Sequence, residues 1–96
     1  MFSDEEVEVR ILLKMDKRGK WGGAYTSVDN IKKGWNIRDI GKEGLKRVDK
    51  LTKELIRKGF ILSKPTSYGL EVSLNPRFSQ EIISLIRKYF QEGPVV

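Results

Sequence analysis

The side chains that carry most protein chemistry are missing from this chain. Its 96 residues include no His and no Cys. That removes the usual general base, the thiolate nucleophile and the commonest transition-metal ligands. Acid–base work would fall to carboxylates, lysines or tyrosines. Asp29 and Asp39 lie near Asn30, but no calcium-loop spacing connects them. Thr26, Ser27, Asp29 and Asn30 read better as helix caps. Gly19, Gly22 and Gly23 do not lead into the Gly-Lys-Ser/Thr of a phosphate loop. The expectation is a protein that is not an enzyme, with no cofactor, no metal and no small-molecule pocket definable from a motif.

What the chain does hold is positive charge. Lys plus Arg number 19 and Asp plus Glu 13. Residues 1–8 contain Asp4, Glu5, Glu6 and Glu8 and no base, so residues 9–96 set 19 bases against 9 acids, a net of +10. A small basic domain with an acidic end points to a polyanionic partner. Solubility alone is the plainer account of the same count, and the Lys, Arg, Glu and Ile content is also thermophile-like.

Charge alone binds nothing specific, so the elements that position it matter. A hydrophobic share of 39% against 33% charged residues predicts one globular domain with one core over 1–96. No apolar run approaches a membrane span, and the acidic N-terminal end is unlike a signal peptide, so an intracellular, cytoplasmic protein is expected. Val7, Ile11 and Met15, with Leu12 beside them, predict a helix over 4–16. Ser3 has capping-box spacing to Glu6. A short strand at 24–26 and a short helix from Val28 to Lys33 follow.

The strongest periodicity predicts a helix over 39–58. Leu45, Val48, Leu51, Thr52, Leu55 and Ile56 share one face, and Lys42, Lys46, Lys50, Lys53 and Arg57 share the opposite one. Phe60–Lys64 and Leu70–Asn75 alternate as strands of a hairpin around a 65–69 link. Asn75-Pro76 opens a last helix over about 76–92, with Gly93-Pro94 as its end.

This order of elements resembles the winged-helix family in its MarR-like arrangement: an α+β fold with a three-helix helix-turn-helix core (about 27–58), a β-hairpin wing (about 60–75) and a C-terminal helix. The stretches Arg18-Gly19-Lys20-Trp21-Gly22-Gly23-Ala24-Tyr25-Thr26-Ser27 and Lys64-Pro65-Thr66-Ser67-Tyr68-Gly69 also resemble small archaeal winged-helix proteins. The resemblance implies double-stranded DNA as partner, in transcription regulation or in chromatin or replication. The helix at 39–58 would enter the major groove. By position, Arg38, Lys42, Glu43 and Lys46 would meet base edges. Arg47, Lys50, Lys53 and Arg57 would lie nearer phosphates, with Lys32, Lys33 and Lys64 extending the surface.

RNA fits the same charges. An adaptor binding protein or ribosomal partners is the alternative. Core packing is the ordinary role of Trp21 and Tyr25, but a glycine-flanked Trp beside Lys20 also suits an exposed anchor. Phe78, Ile82, Leu85 and Tyr89 form a heptad-like seam, for which the resemblance implies a homodimer.

Overall fold

A computed structural model of the protein describes residues 1–90. Gly93-Pro94, the expected end of the last helix, lies outside the described residues. Helix α1 runs Asp4–Lys17, close to the expected span. Ser3 holds an extended backbone, and its Oγ accepts the Glu6 N–H at 3.1 Å, satisfying one donor of the open first turn. Asp4, Glu5 and Glu6 begin the helix, and Lys14 and Lys17 end it, each sign at the end of the dipole that favours it.

Val7, Ile11, Leu12 and Met15 are wholly buried along α1, and Val9 is buried too, well round the helix from them. A helix with apolar residues over so much of its circumference must be covered from several sides. The chain does this with α2 (Val28–Ile31), α4 (Leu45–Arg57), α5 (Ser79–Phe90) and strand β3 (Gly69–Leu74), all of which pack on α1.

The helix expected over 39–58 is two helices. Helix α3 covers Ile37–Ile40, and α4 starts only at Leu45. Gly41 (φ 86°) and Gly44 (φ 58°) hold left-handed conformations that side chains disfavour, and they turn the chain between the two. Every residue of the apolar face lies at Leu45 or beyond, so the periodicity carried no information about 39–44. The short helix expected to reach Lys33 stops at Ile31, with Lys32 as its C-cap. Its N-cap is Ser27, whose Oγ accepts the Asn30 N–H at 3.2 Å.

The sheet is antiparallel with strand order β1-β3-β2, where β1 is Thr26–Ser27 and β2 is Ile61–Thr66. Thr26 pairs with Val72, and Ile61 with Leu74. Val72, Leu74 and Ile61 are buried against the helices. The hairpin is longer than its alternation suggested: β2 continues through Pro65, opposite Leu70, and the turn is Ser67-Tyr68 alone. Proline is tolerated there because β2 is an edge strand whose outer side needs no N–H donor.

Asn75 caps the next segment through Oδ1, which accepts the Arg77 N–H at 3.1 Å. A 3-10 turn, Pro76–Phe78, then leads into α5. The architecture is α+β, with five α-helices and a three-stranded antiparallel sheet among the described residues. No helix described is long and apolar enough to cross a membrane.

Leu12→Ala should lower stability by about 2–5 kcal/mol in urea unfolding, since it opens a cavity where α1 meets its neighbours. A loss below about 1 kcal/mol would deny α1 its central place.

Candidate nucleic-acid interface

Helix α4 turns Val48, Leu51, Thr52 and Leu55 into the core. Residues half a turn away must then face water. Lys46, Lys50, Lys53 and Arg57 are all exposed, on one side of the helix. An open groove of about 500 Å³ runs beside them, lined by Lys32, Leu45, Lys46, Asp49, Lys50, Lys53 and Glu54. Lysines from α4 and from the end of α2 therefore share one concave surface.

Within this surface the cations differ. The Asp49 carboxylate meets Lys53 Nζ at 3.2 Å and Lys32 Nζ at 3.4 Å, joining α4 to α2. Partial burial pushes its pKa up. The hydrogen bond from Lys53 and the charge of Lys32 outweigh that and hold it below the ordinary aspartate value. Arg57 meets Glu54 at 2.6 Å, a pair exposed to solvent that orients the guanidinium more than it stabilises the fold. Among the described residues, neither Lys46 nor Lys50 pairs with a carboxylate. These two are the most available cations on the helix.

Other expected contacts are placed differently. Lys42 lies in the turn before α4, exposed, and not on the helix stripe. Arg38 is in α3 with its side chain 82% exposed, 3.6 Å from Asp39. Arg47 turns inward: its side chain is only 13% exposed. The guanidinium donates to Asp4 Oδ1 at 2.9–3.0 Å, to the Ile40 carbonyl at 3.3 Å and to the Phe2 carbonyl at 2.5 Å. It clamps the N-terminal arm to the α3–α4 turn and does not face a phosphate in this arrangement. Lys33 is exposed, and its carbonyl accepts from Lys14 Nζ at 2.8 Å. Burial, and then the charge of Arg18, lowers the Lys14 pKa. Lys64 is exposed on the hairpin with Nζ 4.4 Å from the Tyr25 ring centre, while Tyr68 at the tip is 98% exposed.

The residues expected to anchor a protein partner are largely engaged inside the fold. Trp21 is half-buried against the core and donates Nε1–H to Asp16 Oδ1 at 2.9 Å. Its segment pairs along β3: Gly22 N–H donates to the Leu74 carbonyl and Leu74 N–H to the Lys20 carbonyl. Gly22, with a left-handed φ of 60°, makes that pairing, while Gly23 is exposed.

In the C-terminal seam, Ile82 is wholly buried, and Phe78 packs its ring 5.3 Å from that of Phe60. Leu85 and Tyr89 are half-buried on the core, with Tyr89 Oη donating to Glu5. Much of the seam thus packs within the chain itself.

Sequence reasoning identified the α4 lysines but missed the Asp49–Lys32 link and the inward turn of Arg47. Neither has a local signal, because each partner comes from another element. Compared with protein-family models, with curated proteins and with solved structures, the chain finds no match.

Arg47→Ala should cost about 2 kcal/mol of stability, because it leaves carbonyls and a carboxylate without their charged donor. Unfolding by urea with far-ultraviolet circular dichroism measures it. The Asp49 cluster has a pH signature as well. Its folded pKa is depressed, so its contribution is present above the unfolded aspartate value and fades as pH falls through the folded one. Asp49→Asn should therefore flatten the loss of stability as pH falls below the ordinary aspartate range.

Proposed function

We propose that this chain is a winged-helix domain that binds double-stranded DNA. In this reading α4 lies against the major groove and the β2–β3 hairpin is the wing. The order α1, β1, α2, α3, α4, β2, β3 fits that fold. The observation that carries the proposal is the face of α4: Lys46, Lys50, Lys53 and Arg57 stand exposed on one side while Val48, Leu51 and Leu55 fix the other to the core. A rigid helix with cations on its free side is what phosphate neutralisation along a groove requires.

In the proposed complex, Lys50, Lys53 and Arg57 neutralise phosphates, with Lys32 and Lys33 extending the surface. Lys46, in the first turn of α4, and Lys42, in the turn before it, are the candidates for guanine edges, with Arg38 on α3. Lys64 and the exposed Tyr68 approach the backbone from the hairpin. A duplex of DNA is favoured over one of RNA because the A-form major groove is too deep and narrow to admit a helix.

Fluorescence anisotropy with a labelled mixed-sequence duplex tests this. Three to five phosphate contacts give a slope of log affinity against log salt between about −2.7 and −4.5. Joint replacement of Lys46, Lys50 and Lys53 by Glu should abolish binding while the fold is kept. A slope near zero, or a triple variant that binds as the parent does, would sink the proposal.

A further inference from the structure

Asp49 is an anomaly on this surface. A carboxylate in the middle of a phosphate-binding face repels the ligand that the face would hold. It is not turned away: it lines the same groove as Lys32, Lys46, Lys50 and Lys53, and unlike Glu54, which also lines the groove but pairs with Arg57, it holds groove lysines. Each of its oxygens holds a different ammonium, Oδ1 that of Lys32 at 3.4 Å and Oδ2 that of Lys53 at 3.2 Å. The side chains of Lys32 and Asp49 are 29% and 32% exposed, so this pair is shielded from solvent more than Arg57–Glu54, where Arg57 is 71% exposed. A carboxylate and a phosphate are acceptors of the same kind, and a lysine ammonium bonds to either.

Resting on the DNA-binding reading above, we infer that Asp49 is a built-in competitor for the phosphate-binding lysines: it occupies Lys32 and Lys53 in the free protein and so restrains sequence-independent binding to the DNA backbone. Of the four ammonium groups in the groove, two are held by Asp49, and Lys46 and Lys50 remain for the first encounter. A phosphate reaching Lys32 or Lys53 competes with the carboxylate for the ammonium and brings its own negative charge beside it. Backbone contact that carries no sequence information is penalised, and a site that offers base contacts to the head of α4 has an added margin over it. The same carboxylate bridges α2 and α4, so it also fixes where Lys32 and Lys53 point before any ligand arrives.

The test compares salt titrations of the parent chain and Asp49→Asn on a mixed-sequence duplex. The amide keeps the shape of the side chain, and circular dichroism checks the fold. Should that variant unfold, Asp49→Ser serves in its place. Release of two lysines should tighten binding about tenfold at low salt. Asp29→Asn makes the same change in net charge at an exposed position of α2 that holds no lysine, and it should do much less. In a chain that also carries Lys32→Ala and Lys53→Ala, the effect of Asp49→Asn should vanish.

The inference is overturned, with the DNA-binding reading intact, if the parent binds with a steep slope and Asp49→Asn gains no more than Asp29→Asn. It is likewise overturned if the gain persists without the two lysines. If neither the parent nor Asp49→Asn binds at low salt, both readings fall.

Discussion

The side chains of Val7, Ile11, Leu12 and Met15 are withdrawn from water completely, and that withdrawal dictates where the other elements go. Each such burial is worth roughly 1.5–3 kcal/mol, so the four together rival the whole net stability of a small domain. No ion pair on this surface approaches that, since exposed pairs contribute about 0–1 kcal/mol. Helix α4, helix α5 and the inner face of the sheet are held by the apolar stripes they offer to α1. Charges then decide only the details of orientation.

Those details sort the charges into paired and free ones. The four acids of residues 1–8 all find partners: Asp4 meets Arg47, Glu6 meets Arg10, Glu8 meets Lys58, and Glu5 accepts from Tyr89. The acidic end is thereby used within the fold. The cations left on the free face of α4 belong to a different arc of the helix. Lys46 and Arg47 are neighbours in sequence with opposite fates, because one residue turns about 100° around the axis. Lys46 faces solvent, while Arg47 closes over the N-terminal arm.

Much of this architecture was legible because its causes are local. Ser3, Ser27 and Asn75 each cap the segment that follows them, and a cap depends on residues two or three positions away. The α4 face from Val48 to Ile56 and the alternation of β3 likewise express a periodicity that any core would select, whereas Leu45, expected on that face, is 47% exposed at the first turn. The break between α3 and α4 was the local feature misread. Gly41 and Gly44 signalled it, but charged residues between them are compatible with a helix and gave no contrary pattern.

The sequence by itself determined the class of fold, most of the element order, the absence of His and Cys, and the existence of a basic face on one helix. All of these follow from composition and from spacings shorter than one helix. Tertiary structure alone decided which charges that face keeps. Arg47 was drawn to the Phe2 and Ile40 carbonyls, Trp21 to Asp16 and the edge of β3, and Lys32 across to Asp49. For Arg47 and Lys32 the partner lies on another element, brought near only when the helices close on α1. A side chain's charge is written in the sequence, but its partner is set by packing, and here the partner separates a cation free to meet a ligand from one already engaged.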